Sequence, residues 1–404
     1  MVFVGTFFWK KYSKGWRMSD SSTDFFDVFD ELTSEQKLIQ QTARAFVEKE
    51  CQPLITNAFE KGVFPKEVMR KMGGLGFLGA NLHGYGCAGL DEVSYGLILR
   101  ELERCDSAFR SFASVQSSLA MYAIYAFGSE EQKNRFLPNM ALGESVGCFG
   151  LTEPDFGSNP AGMKTVAKKQ GNTFVLNGSK TWITNATIAD VSIVWAQTDE
   201  GIRGFLVEKG TEGFETHEIH QKLSLRASVT GSLFFKNCVV PETHLLPKTV
   251  GVKNALMCLN QARFGIAFGV LGAAEDCFQE ALKYAKERIM FGKPIASFQL
   301  VQRKLAIMAT EITKGNLLAM KLAKLKHKGK LKPAQISMAK QNNVQIAMEC
   351  ARMARDILGA NGISGEYHCM RHMCNLESVY TYEGTNDIHL LVVGQELTGI
   401  GAYQ

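Results

Sequence analysis

About a hundred residues of β-like texture lie between two helical stretches, and that interruption limits the folds open to this chain. From Gly143 to about Pro247, short apolar runs are bounded by polar residues or glycine; Val191–Ala196, Gly204–Val207 and Ser232–Phe235 are examples. Asn177-Gly178, between Thr173–Leu176 and Lys180–Ile183, predicts a two-residue hairpin turn. The frequency of these runs fits an antiparallel barrel or sandwich. Before them, apolar residues recur at helical spacing. Leu38, Ile39, Ala43 and Phe46 follow the capping residue Thr33, and further helices are predicted over Val93–Glu103, near Ser117–Phe127 and from Glu130 to Phe136. After Val250 the spacing is helical again over Asn254–Ile289, Ser297–Lys326, Pro333–Leu358 and Met370–Tyr380. Four helices with short connections suggest a bundle. Strands do not alternate with helices, so the reading is α+β in several domains. The divisions are a leader (1–29), a helical domain (30–147), a β domain (148–249) and a helical bundle (250–404).

A chain of 404 residues has room for two or three cores. With 46% hydrophobic and 21% charged residues it has the composition of a soluble globular protein. The net charge of +5 is spread along the chain and suits an anionic small ligand as well as any other partner. The basic run Lys321–Lys332 has no interleaved aromatic residues. It reads as a solvated interhelical loop and not as a nucleic-acid surface. The ten cysteines show no CxxC pair and read as reduced thiols. No apolar run approaches the ~20 residues of a membrane span. Lys10, Lys11, Lys14 and Arg17, with no acid in the first seventeen residues, fit a mitochondrial transit peptide in part. A disordered leader fits as well, and Met18 is a second possible start.

Several motifs carry no chemistry. Gly84-Tyr-Gly-Cys-Ala-Gly89 matches GxGxxG but lacks the strand and helix that a dinucleotide site needs, so a tight loop is expected. His368 and His372 stand four apart, without a third ligand at matching spacing, and no metal site is assigned. Neither a GxSxG elbow nor a Walker sequence is present.

Four uncommon strings remain: Phe149-Gly-Leu-Thr-Glu-Pro-Asp-Phe-Gly-Ser158, Gly178-Ser-Lys-Thr-Trp-Ile-Thr-Asn185, Arg288-Ile-Met-Phe-Gly292 and Tyr382-Glu-Gly-Thr-Asn-Asp387. Each alone has a plain structural explanation: a turn, a core indole, a surface arginine, a helix end. In this order they resemble the acyl-CoA dehydrogenases, and the resemblance covers about residues 33–403. It implies an N-terminal helical domain, a middle β-barrel, a C-terminal four-helix bundle, bound FAD and a homotetramer. By resemblance Phe149, Leu151, Thr152, Gly157, Ser158, Trp182, Ile183 and Thr184 contact the flavin, and Thr385 closes its site. Arg288, Phe291, Gln299 and the stretch Asp356, Ile357, Leu358, Gly359 and Ala360 look like adenine- or pyrophosphate-side contacts, some donated by a neighbouring subunit. Glu383 is implied as the base that takes the α-proton of an acyl-CoA thioester, with Gly384 letting the chain turn beside it.

Within that family the wording is most similar to the glutaryl-CoA dehydrogenases. The strings are Arg100–Ser107, Phe109-Arg-Ser111, Ser114–Ser118, Cys258–Arg263 and Gly362–His368. The resemblance implies that Glu103, Arg110, Ser111 and Ser114 surround the free γ-carboxylate of glutaryl-CoA, while Ser158, Leu259, Asn260, Arg263 and Gly384 complete substrate binding. A structural salt bridge of Arg110 with Glu103 or Asp106 is the competing explanation. Oxidation followed by loss of CO2 would give crotonyl-CoA. Electrons would pass to electron-transfer flavoprotein, in the mitochondrial matrix or in a bacterial cytoplasm. Asn159 and Asn386 stand where the relatives suggest Asp and His, and Asp155-Phe156 replaces a small polar pair.

Overall fold

Thr33 opens the first helix as expected: Gln36 N donates to Thr33 Oγ1 and Thr33 N donates to Gln36 Oε1, a reciprocal cap. The computed structural model describes residues 24–402, so the basic leader read at 1–17 lies outside the described residues. Helix α1 (Ser34–Phe46) passes through a wider π-type turn into α2 (Gln52–Lys61), and α3 is Glu67–Gly74. Helix α4 (Glu92–Cys105) is capped by Asp91, which accepts from Val93 N and Ser94 N. Asp106 then caps α5 (Ser107–Ser114), which continues through a second π-type turn into α6 (Tyr122–Phe127); α7 is Glu130–Ala141. The sequence reading missed the first half of that long segment. Its serines dilute the apolar stripe, yet Ser107, Ser111, Ser114, Ser117 and Ser118 are all buried.

The middle of the chain is a curled seven-stranded sheet: β1 (Gly147–Gly150), β2 (Val166–Gln170), β3 (Thr173–Thr184), β4 (Val191–Thr198), β5 (Gly201–Glu208), β6 (Phe214–Glu218) and β7 (Thr230–Pro241). The order is β1-β4-β2-β3-β7-β6, with β5 also on β4. Not every pairing is antiparallel: β1 and β2 both run parallel to β4. Strand β4 is buried on both faces. Val191, Ile193 and Trp195 pack towards the helices while Val194 and Ala196 fill the curl, which explains its unbroken apolar run.

One expectation fails here. Asn177-Gly178 is not a hairpin turn, because β3 runs straight through it against β7 with a register shift between Leu176 and Gly178. A Cβ on Gly178 would lie 2.7 Å from Thr165 Cα, and Asn177 Oδ1 accepts from Asn237 N on the paired strand. The dipeptide therefore makes a bulge. The turn between β2 and β3 is at Gly171-Asn172 instead, with Gly171 at φ 58.

Helices α8 (Lys253–Glu287), α9 (Gln299–His327), α10 (Pro333–Ile357) and α11 (Cys369–Thr381) follow the predicted spans closely. A fifth, α12 (Asn386–Thr398), was not foreseen, because its run of Leu390–Val393 gives no one-sided stripe. Among the described helices α8 alone is long and apolar enough to cross a bilayer, and 67% of that window is buried inside the protein. It is the core helix. It passes so close to α4 that a Cβ on Gly272 would sit 1.9 Å from Arg100 O, and one on Gly265 2.4 Å from Leu99 Cδ1. Gly272→Ala should cost about 1–3 kcal/mol, the usual range for overpacking. Gly74→Ala, on an exposed helix end with nothing within 4 Å, should be neutral or gain up to about 1 kcal/mol. Urea unfolding of the two variants tests the contrast, which equal midpoints would refute.

Candidate active site

Glu383 lies in the turn between α11 and α12 at φ 54, a left-handed conformation uncommon for a residue with a Cβ. Gly384 follows at φ 96, and a Cβ there would meet His389 Nε2 at 2.8 Å. The turn is gripped from behind by two cations, a partly buried arginine and a buried lysine. Arg263 Nε of α8 donates to Glu383 O at 2.6 Å, and Lys340 Nζ of α10 donates to Tyr382 O at 3.2 Å and Gly384 O at 3.0 Å. Thr385 caps α12 by accepting from Ile388 N. The carboxylate itself is left free, and its Oε2 is sealed from solvent with no hydrogen-bond partner. Burial raises the Glu383 pKa above 4.5, against the pull of Arg110, Arg263 and Lys340. Lys340, desolvated more than Glu383 can offset, is pulled down to about 7.

Arg110 enters from α5 with its side chain 1% exposed. Its Nε donates to Glu103 Oε2 at 2.7 Å and its Nη2 to Glu103 Oε1 at 3.2 Å, and Nη2 also reaches the Tyr382 hydroxyl. Ser107 Oγ donates to Glu103 at 2.7 Å and completes the carboxylate's shell. Ser111 Oγ lies 3.2 Å from Tyr382 Oη. Two polar groups are left over among the described residues: Arg110 Nη1 makes no hydrogen bond, and Ser114 Oγ, one turn further along the same helix face, is buried without a partner. Asp106, the other acid offered to Arg110, belongs instead to Arg371 Nε at 3.0 Å and Asn375 Nδ2 at 2.8 Å.

The two sheet strings meet as well. Thr181 N donates to Thr152 O at 2.9 Å, and buried Lys180 Nζ bridges Leu151 O and Glu153 Oε1. A second register shift between Lys180 and Ile183 throws Trp182 outward at φ 59, where it is 62% exposed. Among the described residues the hydroxyls of Thr152 and Thr184 have no hydrogen-bond partner, and Gly157 and Ser158 are exposed. Phe149, Leu151 and Ile183 send their side chains into the core, so only their backbone can face a ligand. Leu259 packs partly buried, and Asn260 Oδ1 accepts from Arg263 Nη1.

A separate cluster forms where α8 ends and α9 begins. Arg288 caps α8, Phe291 stands 89% exposed on the small hairpin after it, and Asp356 pairs with Lys304. Gln299 opens α9, while Ile357 and Leu358 are core. Gly359 at φ 60 and Ala360 lie in the turn behind them. None of this cluster's polar contacts reaches Trp182 or Glu383. His368 and His372 both address Asp276, at 2.9 and 3.2 Å, and among the described residues no group of three or more His, Cys, Asp or Glu could hold a metal ion.

Sequence reasoning missed Lys340, Tyr382 as a partner of Arg110, and His389. Lys340 had a signal: a lysine on the buried stripe of Ile336, Ala339, Asn343 and Ala347. Tyr382 adjoins Glu383 in the fourth string, and His389 had none.

Three family profiles match in chain order: acyl-CoA dehydrogenase N-terminal domain over residues 33–144, middle domain over 148–238 and C-terminal domain over 249–398. An acyl-CoA dehydrogenase of Bacillus subtilis is 38% identical over 91% of this chain and 99% of its own. The human mitochondrial short-chain specific acyl-CoA dehydrogenase is 36% identical over 91% of each. Among solved structures, a glutaryl-CoA dehydrogenase from Mycobacterium smegmatis in complex with FADH2 is 52% identical, with a TM-score of 0.93 over 94% of this chain and 98% of that one.

The Glu103–Arg110 pair yields a stability prediction. Glu103→Leu leaves a buried guanidinium without its counter-ion and should cost about 3–5 kcal/mol. Adding Arg110→Met should recover most of that loss. Denaturant unfolding of the single and double variants measures it; additive losses would mean that the two side chains do not form one desolvated unit.

Proposed function

The chain belongs to the acyl-CoA dehydrogenase family, and on that premise we propose that it oxidises glutaryl-CoA and releases the distal carboxylate as CO2, with Glu383 as the base. The observation that carries the substrate choice is the pair of unused donors, Arg110 Nη1 and Ser114 Oγ, one helical turn apart in a desolvated site. An alkyl tail has no use for them. A second carboxylate would satisfy both, and would balance the three cations Arg110, Arg263 and Lys340 against Glu103 and Glu383. The 52% identity to a glutaryl-CoA dehydrogenase supports the same reading.

The family's cofactor is FAD. The residues here fit it: an outward indole at Trp182, free hydroxyls at Thr152 and Thr184 and the loop to Ser158 suit the ring. Arg288, whose planar fork matches phosphate oxygens, suits a pyrophosphate. Because the Arg288 cluster stands apart from Trp182, we assign it to the flavin of a neighbouring subunit in a homotetramer. FAD bound there would supply the two-electron acceptor for the hydride that leaves the β-carbon.

Glu383 takes the α-proton, so the Cα–H electron pair moves into the thioester as an enolate while the hydride leaves Cβ. The product is glutaconyl-CoA. Its bond to the γ-carboxylate then breaks, the pair runs into the conjugated thioester, and CO2 departs. The resulting dienolate takes the proton back from Glu383, which returns to a carboxylate, and crotonyl-CoA remains. Arg110, held in place by Glu103, orients the chain by pairing with the distal carboxylate, and Ser114 Oγ donates to the same group. Electron-transfer flavoprotein is the proposed acceptor, in the mitochondrial matrix or in the cytoplasm of a bacterium. A short-chain enzyme is the second reading, favoured by the name of the human relative.

Glu383→Gln should retain flavin and acyl-CoA binding and lose at least ~10²-fold in flavin reduction. In the wild type, kcat/KM should fall as pH drops through a value above 4.5, because the base must be ionised and burial has raised its pKa. An acid limb below that value would argue against Glu383. The substrate test uses Arg110→Met with two thioesters and identifies products by mass. Glutaryl-CoA should lose roughly 2–5 kcal/mol of kcat/KM, while butyryl-CoA should lose little. Equal losses would make Arg110 structural and favour the short-chain reading.

A further inference from the structure

Three successive carbonyls, those of Tyr382, Glu383 and Gly384, each accept a hydrogen bond from a cationic side chain, buried Lys340 or partly buried Arg263. Carbonyls of a turn normally face water or a neighbouring strand. Here Lys340 spends its ammonium on the first and third, and Arg263 takes the second. Lys340 is 1% exposed on α10, and its buried face otherwise presents small or apolar residues apart from Asn343. Among the described residues it has no carboxylate within ion-pair distance. A buried lysine without an ion pair costs stability unless its ammonium is otherwise satisfied. What it does have is a fixed position behind the only backbone turn that presents Glu383.

We propose that Lys340 is a positioning residue: by clamping the carbonyls on either side of Glu383 it holds that residue in its left-handed conformation and aims the carboxylate at the substrate. The inference rests on Glu383 being the base and is independent of the acyl chain. The clamp works beside two other restraints on this strained turn, Arg263 on the Glu383 carbonyl and the Thr385 cap, and adds the grip on both flanking carbonyls. Glu383 at φ 54 and Gly384 at φ 96 would relax if the carbonyls were free to swing, and Gly384 is wedged against His389 on its far side. The clamp also sets the electrostatics. Glu383 faces Arg110 of α5, Glu103 of α4, Arg263 of α8 and Lys340 of α10. Tyr95 and Tyr382 lie within its field, and buried His389 of α12, which burial and the two cations hold down at about 3, contributes no charge near neutral pH. Of these groups Lys340 alone combines a charge with a grip on the turn through both flanking carbonyls.

The test uses the FAD-loaded full chain, with Lys340→Met and Lys340→Gln read beside Glu383→Gln. Flavin reduction by butyryl-CoA and by glutaryl-CoA is followed by stopped flow across pH. Lys340→Met removes both donors and charge. Its reduction rate should fall roughly 10- to 100-fold, the effect of a small misplacement of a reacting group, with acyl-CoA affinity little changed. Its acid limb should move up by roughly one pH unit or more, because a nearby positive charge that favours the carboxylate has gone. Lys340→Gln keeps N–H donors without charge. It should show the same upward shift and recover part of the rate, and it carries the test should the methionine variant fail to load flavin. A lower rate with an unmoved acid limb, or an effect confined to affinity, overturns the clamp while leaving Glu383 as the base. If Glu383→Gln reduces flavin at a near-normal rate, the base assignment itself falls, and the clamp with it.

Discussion

The close passage of α8 across α4 is the constraint from which the site follows. Gly265, Gly269 and Gly272 lie four and three residues apart, on one face of α8. A Cβ on Gly269 would stand 2.3 Å from Glu103 Oε2 and 3.2 Å from Arg110 Cγ. The missing side chain is thus the room in which the Glu103–Arg110 pair sits. The same approach that lets two backbones pack also excludes water from that pair. Hydrophobic packing and electrostatics are consequently not separate layers of this protein. Phe264 and Phe268 fill the interface between the glycines, and Gly96 on α4 receives the Phe268 ring in return.

Charges around that interface are mostly closed systems. Asp106 accepts from Arg371, Asn375 and Ala108 N, and so ties α11 to the helical N-terminal region. Asp276 of α8 takes His368, the N-cap residue of α11, and His372 within it. Such networks fix the relative position of helices, and their unpaired partners would be costly. The turn at Glu383 differs because its carboxylate is offered nothing but a field. Three cations stand near it, two of them hydrogen-bonded to its backbone or its neighbours' and the third to Glu103. A carboxylate that is attracted but not hydrogen-bonded stays available to take a proton, and burial keeps its affinity for one high.

The arrangement of the chain was legible because apolar periodicity changes with the structure: α, then β, then α again. The boundary at Thr33 followed from its cap, and those at Glu130 and Pro333 from helical spacing. The long segment from Ser107 was only half visible, since its buried serines face polar business instead of apolar neighbours. Asn177-Gly178 misled for a definite reason. The pair that favours a tight turn also tolerates the close approach of Thr165 and the backbone conformation of a bulge, and local wording cannot tell which partner strand will come. The strings around Trp182 and Glu383 stood out as wording. What they touch did not, because Lys340 lies 43 positions before Glu383 in sequence and meets it only through the bundle.

The same strings explain why so few residues are conspicuous. Trp182, Asn185, Phe291 and Glu383 all adopt positive φ without being glycine, and all four lie within the strings that first marked the chain. Glycine would relieve each conformation at no steric cost, yet it would delete an outward indole, an amide bonded to Gly147 O, an exposed phenyl ring or the free carboxylate. Strain of this kind persists only where neighbours over-determine it. For Trp182 the neighbours are Thr152, Lys180 and the register shift against β7; for Glu383 they are Arg263, Lys340 and the cap at Thr385. A left-handed residue with a functional side chain therefore requires a second set of residues that do no chemistry and hold the first set still. Those supporting residues are dispersed along the sequence, and only the fold brings them behind the turn they restrain.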